Sequence, residues 1–228
     1  MKKLFSSLTV FERVLWLSSL LLIAASFLLS PKKDILSLLA SLIGATALIF
    51  VARGQVAGQI LTVVFAVFYG AISLGFRYYG EMITYLGMSA PMAIAATVSW
   101  IRNPAKGGKE VAVGRMSVKK LLLLLLATAA VTVAFYFILR ALGNASLFLS
   151  TVSITTSFLA SYLTLMRSPA YALAYAANDV VLMALWIIAS FRSPGSAPMI
   201  VCFAMFLLSD SYGFVNWRRM MKGQKGME

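Results

Sequence analysis

Eight apolar runs separated by short polar breaks make up most of the chain. Each run approaches the ~20 residues that an α-helix needs to cross ~30 Å of hydrocarbon, where helices keep every backbone polar group satisfied. The break between the second and third runs depends on Arg53-Gly54. This pattern predicts an all-α polytopic membrane protein with eight transmembrane helices. The runs cover residues 13–30, 34–52, 54–76, 80–101, 118–140, 145–165, 168–190 and 194–217.

An amide and a carboxylate stand side by side in the seventh run. Asn178 and Asp179 lie in its middle, and a carboxylate at the centre of a membrane helix costs about 2.5–3.5 kcal/mol on insertion scales. Such a group is tolerated where it faces a protein interior or a wet cavity. Tyr171, Tyr175 and Asn178 share one helical face, and Asp179 borders it. We predict that these four residues contact a polar substrate within the membrane.

The third run carries a second polar face. Gln59, Thr62 and Tyr69 lie on one side of a helix, and we predict that they belong to the same substrate site. The sixth run is rich in serine and threonine, which in membrane helices more often serve close helix packing. We therefore interpret that run as a packing surface.

Three further polar residues fit either a gate or a structural role, namely Glu81, Asp210 and Asn216. Glu81 lies at the start of the fourth run, where it can bind substrate or accept from backbone N–H groups at the helix N-terminus. Asp210 can act as a gate, cap its helix, or pair with Arg167 or Arg218.

Composition and charge support the membrane assignment and orient the helices. Hydrophobic residues make up 61% of the chain and the mean hydropathy is +0.90, beyond the range of ordinary soluble domains. With the N-terminus inside, 15 of the 20 Lys and Arg residues fall on the cytoplasmic side and the other 5 outside. This asymmetry predicts that both termini are cytoplasmic. The net charge of +13 then indicates loops facing anionic lipid, and we predict no nucleic-acid partner.

The residue inventory excludes several classes of enzyme site. The chain has one cysteine, Cys202, and no histidine. An intrachain disulfide, His-ligated zinc and the Ser-His and Cys-His nucleophile pairs are therefore excluded. We predict no catalytic residue, no metal and no cofactor.

A faint internal repeat flanks the long polar interval 102–117. The third and seventh runs each follow an arginine, and the fourth and eighth end in Trp100-Ile-Arg102 and Trp217-Arg218-Arg219. Runs two to four and six to eight cross in the same directions, so we predict a parallel 3+1+3 repeat with the site between its halves. The first run is too long for a signal peptide, and we predict that it is retained. The predicted units are an extra helix (1–33), a first repeat (34–101), a loop and linker helix (102–142), a second repeat (143–217) and a cytoplasmic tail (218–228).

Three groups of motifs stand out in the two predicted repeats. In the first repeat, Tyr69 is followed ten residues later by Tyr79-Gly80-Glu81-Met82. The second repeat contains Arg167 with the stretch 171–178, and Tyr212-Gly213 with Asn216-Trp217-Arg218. These motifs resemble those of the PnuC family of vitamin-precursor transporters, and the resemblance covers about residues 30–220.

The resemblance implies a homotrimeric facilitator of the bacterial cytoplasmic membrane with a SWEET-like fold. Family members carry nicotinamide riboside down its gradient, and a cytoplasmic kinase traps it by phosphorylation. Asn178 would then bind the sugar, the two tyrosines would flank the ring, and Gln59 would contribute from the opposing repeat. The common nicotinamide riboside form has two Trp where this chain has Tyr171 and Ala174. Because relatives take deoxynucleosides, thiamine or riboflavin, a deoxynucleoside is the second candidate substrate.

Two hypotheses come from other functional classes. Asp179 and Asp210 would form the paired carboxylates of an intramembrane aspartyl protease if the bundle brought both to a shared water. A purely structural or sensory membrane protein would bind no saturable ligand.

Overall fold

A computed structural model describes residues 8–31, 33–106, 110–144, 146–191 and 197–226. Over these residues it contains eight helices that are long and apolar enough to cross a membrane, which confirms the predicted number. The helices are α1 (Val10–Leu29), α2 (Ile35–Ala52), α3 (Val56–Gly75), α4 (Tyr79–Arg102), α5 (Val118–Ala141), α6 (Leu147–Leu165), α7 (Tyr171–Ser190) and α8 (Ala197–Lys225).

Local sequence explains where several helices begin and end. α1 begins at Val10 because Thr9 and Glu12 form a capping box, in which each side chain accepts from the other residue's backbone N–H. α2 and α3 are separated at the predicted break, where Gly54 adopts a φ of +66°. α8 is longer than its predicted run and continues as a helix to Lys225.

The winding of α4 changes in its middle. Tyr79–Ile83 and Ala90–Arg102 are α-helical, whereas Thr84–Ser89 between them is π-helical. Pro91 lies just after this segment. A proline lacks the N–H of the helical ladder and its ring clashes with the carbonyl four residues earlier, so the wider π turn relieves the clash. Single π turns of this kind often accompany functional sites.

Six of the helices form a closed ring. Among the described residues, α2 contacts α3, α3 contacts α4, α4 contacts α6, α6 contacts α7, α7 contacts α8, and α8 returns to α2. α1 packs outside this ring on α2 and α8, and α5 packs outside it on α6 and the start of α4. The exposed apolar faces of these two outer helices are suited to hydrocarbon.

Two hydrogen bonds join α8 to the last turn of α2. The indole Nε1 of Trp217 donates to the Val51 carbonyl at 2.9 Å. The amide Nδ2 of Asn216 donates to the Ala52 carbonyl, also at 2.9 Å. These carbonyls lie in the final turn of α2, where helical partners run out, so α8 caps that turn. Asn216 therefore has a structural contact and lies at the α2–α8 interface.

The same pattern recurs where α4 meets α6. Trp100 Nε1 donates to the Thr164 carbonyl at 3.1 Å, and Ser99 Oγ donates to the Leu165 carbonyl at 3.2 Å. The rings of Trp100 and Trp217 meet between the two interfaces, with centroids 5.4 Å apart. Matched contacts of this kind support the predicted parallel repeat.

The described part of the α4–α5 loop contacts the turn between α2 and α3 and the turn between α6 and α7. The Val111 N–H donates to the Gly54 carbonyl at 2.9 Å, and the Gly114 N–H donates to the Arg167 carbonyl at 2.9 Å. Gly54 and Arg167 share a left-handed backbone, with φ of +66° and +58°. The loop therefore joins the two halves of the ring at equivalent positions.

Candidate substrate cavity

A cavity lies inside the six-helix ring. Helices α2, α3, α4, α7 and α8 supply its lining, while α6 stands behind α7. Six of the ten predicted site residues line it: Gln59, Thr62, Tyr175, Asn178, Asp179 and Asp210. The other four, Tyr69, Glu81, Tyr171 and Asn216, lie outside its lining. The cavity therefore brings together polar residues from three different helices.

Asn178 is held from behind by two hydroxyl groups of α6. Thr156 Oγ1 donates to Asn178 Oδ1 at 2.8 Å, and Ser153 Oγ lies 3.2 Å from the same oxygen. The Asn178 side chain is buried and faces the cavity. Its amide nitrogen has no hydrogen-bond partner among the described residues, so it is the donor available to a ligand. The sequence analysis interpreted this helix as a packing surface, but α6 also positions the Asn178 side chain.

Asp179 and Asp210 bring two carboxyl groups into contact across the α7–α8 interface. Each residue is only 3% exposed, and Oδ2 of Asp179 has no hydrogen-bond partner within the described part of the chain. No lysine or arginine lines this cavity in the described part of the chain. Two ionised carboxylates in contact repel each other, so this pair favours a proton or a cationic ligand. Asp210 contacts Asp179 and has no ion pair with Arg167 or Arg218.

Gln59 and Thr62 form the polar part of the α3 wall. Gln59 is 2% exposed, and its side chain makes no hydrogen bond to the other described residues. Thr62 Oγ1 donates to the Gly58 carbonyl at 2.9 Å, so its hydrogen is used within the helix. Gln59 is therefore the α3 group with unused hydrogen-bonding capacity toward the cavity.

Tyr171 and Tyr69 support the lining without belonging to it. Tyr171 is fully buried, and its ring packs on Trp217 with centroids 5.0 Å apart. Tyr69 OH accepts from Trp186 Nε1 at 2.8 Å, and its ring lies 4.2 Å from that of Tyr85. Both tyrosines therefore fix the positions of other aromatic rings.

Glu81 lies deeper in the protein than its position in the sequence indicated. It is fully buried, and its Oε2 lies within hydrogen-bonding distance of Ser153 Oγ of α6, at 3.1 Å. The structure shows no side-chain cap at the start of α4, so the expected contact with backbone N–H groups is absent there. Glu81 instead reaches the hydroxyl that also contacts Asn178.

Nine lining residues escaped the sequence analysis, and four of them have aromatic or polar side chains: Phe65, Tyr85, Ser89 and Phe206. Tyr85 and Ser89 lie in the π-helical segment of α4, and neither belongs to a polar stripe in the sequence. Phe65 follows Thr62 by three residues and precedes Tyr69 by four, so helical spacing was a usable signal for it. Phe206 reaches the cavity because Gly44 of α2 has no side chain in its way.

A comparison with known families matches residues 34–219 to a family described as "Nicotinamide mononucleotide transporter". That match covers most of the chain, including α2 to α7 and most of α8. The chain belongs to the nicotinamide mononucleotide transporter family. Membership confirms the expected resemblance and the assignment as a multi-pass membrane transporter.

Relatives and one solved structure agree with this family. The chain is similar to "Nicotinamide riboside transporter PnuC" of Neisseria mucosa, with 26% identity over 230 residues, 99% of this chain and 87% of the relative. It is also similar to the protein of that name from Haemophilus influenzae, with 23% identity over 212 residues, 92% of this chain and 90% of the relative. The fold matches "Crystal structure of the Vitamin B3 transporter PnuC" with a TM-score of 0.85, 26% identity and coverage of 97% of this chain and 96% of that one.

Family membership also decides between the transporter and the protease. Asp179 and Asp210 are neighbours that line the same cavity, so geometry alone leaves the protease hypothesis open. The similar proteins from Neisseria mucosa and Haemophilus influenzae are both named as transporters. The carboxyl pair is therefore part of a transporter cavity.

Proposed function

We propose that this protein carries nicotinamide riboside across the bacterial cytoplasmic membrane by facilitated diffusion. The observation that carries the proposal is the pairing, in one cavity, of the free Asn178 amide nitrogen with the Asp179–Asp210 carboxyl pair. Nicotinamide riboside joins a polar sugar to a positively charged pyridinium ring. The amide donates to a sugar oxygen, and the carboxyl pair favours the cationic ring.

The remaining lining residues complete the proposed site. Tyr175 offers an aromatic face to the ring, while Gln59 and Thr62 face it from α3. Tyr171 and Tyr69, which were predicted to touch substrate, act in this proposal by supporting Tyr175 and Tyr85. The ring centroids of Tyr171 and Tyr175 lie 6.1 Å apart, which is within the range of edge-to-face contact.

A deoxynucleoside is the second candidate. Tyr171 and Ala174 replace the two Trp of the common nicotinamide riboside form, which leaves a narrower aromatic wall. Thiamine shares the positive charge of nicotinamide riboside, and riboflavin shares a flat ring. A thermal-shift screen of the purified protein against these four ligand types separates them, because a ligand of the folded state raises its apparent stability.

Topology, assembly and energetics form the rest of the proposal. The excess of Lys and Arg at one end of the bundle supports cytoplasmic termini. The family resemblance supports a homotrimer and a cytoplasmic kinase that traps the substrate by phosphorylation. Trapping supplies the direction of net uptake, so no ion gradient is required.

The deciding experiment compares two amide deletions in proteoliposomes. Asn178→Ala is expected to abolish saturable nicotinamide riboside uptake, because it removes the donor that faces the cavity. Asn216→Ala removes an amide of the α2–α8 interface and is expected to lower stability while leaving the half-saturation concentration unchanged. Wild-type half-saturation in a folded Asn178→Ala protein would contradict the proposed site.

A further inference from the structure

The Ser153 hydroxyl stands between a buried carboxyl group and the proposed substrate-binding amide. Its oxygen lies 3.1 Å from Glu81 Oε2 on α4 and 3.2 Å from Asn178 Oδ1 on α7. Glu81 and Ser153 are fully buried and Asn178 is 1% exposed. One hydroxyl on α6 therefore connects the first half of the ring to the cavity wall.

Hydrogen counting limits how this contact can work. A serine hydroxyl carries one hydrogen, and both Glu81 Oε2 and Asn178 Oδ1 are acceptors when the carboxylate is ionised. If Ser153 donates to an ionised Glu81, it has no hydrogen left for Asn178. If Glu81 carries the proton, the carboxyl donates to Ser153 and Ser153 donates to Asn178. With the Asn178 carbonyl oxygen facing Ser153, only the second arrangement satisfies both contacts.

The surroundings of Glu81 favour the arrangement with the proton. Ser153 Oγ lies 3.1 Å from its Oε2, and Tyr69 and Tyr85, which carry no positive charge, interact with it electrostatically. Among the described residues Glu81 has no cationic partner, and its Oε1 has no hydrogen bond. An unpaired carboxylate inside a membrane protein is costly, whereas a neutral carboxyl is a good donor.

We infer that Glu81 is a positioning residue for substrate binding: as a neutral donor it acts through Ser153 to hold the Asn178 carbonyl toward α6. The Asn178 amide nitrogen is thereby left facing the cavity. Thr156 holds the same oxygen at 2.8 Å, so the relay through Ser153 supplies the second of two anchors. This inference rests on the proposed role of Asn178.

The test measures nicotinamide riboside uptake by three variants in proteoliposomes. Ser153→Ala and Glu81→Ala each break the relay and are expected to raise the half-saturation concentration about three- to tenfold, the effect of one buried hydrogen bond. The maximal rate is expected to change by less than about twofold, because the residues position a binding group. Glu81→Gln keeps a neutral donor and is expected to restore near wild-type half-saturation.

A matched control is available on the same helix. Thr155 Oγ1 contacts Thr132 Oγ1 of α5 at 2.8 Å, away from Asn178. Thr155→Val removes a hydroxyl of α6 at that outer surface and is expected to leave the half-saturation concentration unchanged. Thermal unfolding of every variant in detergent separates loss of folding from loss of affinity.

Each outcome decides between the inference and the proposed function. If Glu81→Gln is as impaired as Glu81→Ala, a neutral donor does not suffice and the inference is wrong. It is also wrong if folded Ser153→Ala transports like wild type while Asn178→Ala is inactive. If Glu81→Ala does not fold, the half-saturation concentrations of Ser153→Ala and Glu81→Gln test the inference. If Asn178→Ala itself transports like wild type, the proposed function is at fault.

Discussion

The two halves of the protein make matching contacts at the end of the ring where the helix turns lie, but they contribute different residues to the central cavity. At the helix turns, each half makes the same contacts: an indole and a neighbouring polar side chain cap the last turn of the opposing half. In the cavity, the polar residues at corresponding positions do not match.

Counting from the matched turns makes the contrast explicit. Asn178 lies eleven residues after Arg167, and the residue eleven after Gly54 is Phe65. Asp179 corresponds in the same way to Ala66. All four residues line the cavity, so at these corresponding positions α7 is polar and α3 is apolar.

The difference shows that the two regions meet different requirements. Buried backbone carbonyls at a helix end need donors wherever they occur, and the two halves meet this need with the same kinds of side chain. A nucleoside-like ligand has a polar sugar and a flat ring, and a symmetric cavity would leave one of them badly matched. We therefore expect substitutions in the cavity to change affinity, and substitutions at the turns to change stability.

The largest effect is expected from the polar residues of α7. Asp179→Asn removes one charge of the carboxyl pair, and the half-saturation concentration for nicotinamide riboside is expected to rise at least about tenfold, or ~1.4 kcal/mol. Proteoliposome uptake measures it. The control is Asp34→Asn, because Asp34 caps α2 outside the cavity and asparagine caps equally well. An unchanged half-saturation concentration in Asp179→Asn would contradict the proposal that the carboxyl pair favours the cationic ring.

The next prediction compares the two turns in which Gly54 and Arg167 have a left-handed backbone. Gly54→Ala is expected to destabilise the protein by about 1–2 kcal/mol, because an L side chain is strained at that φ. The new Cβ would also lie 2.7 Å from Met220 Cε. Arg167→Gly relieves the same strain and is expected to leave stability unchanged or raise it by up to about 1 kcal/mol. Denaturant titration in detergent reports both, and a larger loss in Arg167→Gly would contradict the comparison.

The smallest effect tests the equivalence of the two indoles. Trp100→Phe and Trp217→Phe each remove one N–H donor to a backbone carbonyl, with an expected cost of about 0.5–1.5 kcal/mol each. The two losses are expected to agree closely, with unchanged half-saturation in uptake. Because the rings are in contact, the double variant is expected to deviate from additivity. A loss of uptake in one variant alone would show that the turns are not equivalent.

Much of the site was predictable because it depends on local helical spacing. The cost of placing Asn178 and Asp179 in an apolar run marked them without any knowledge of their neighbours. The face shared by Gln59 and Thr62 followed from the helical period. Tyr85 and Ser89 were not predictable in this way, because the π-helical turn before Pro91 changes which residues face inward.

By itself, the sequence determined the eight apolar spans, the break at Arg53-Gly54 and the polar residues that no lipid-facing helix would retain. Those properties depend on length, hydropathy and spacing within one segment. Only the tertiary structure decided that Asp179 contacts Asp210, that Asn216 caps α2, and that Glu81 reaches Asn178 through Ser153. These contacts join residues on different helices, and which helical faces meet depends on how the whole ring packs.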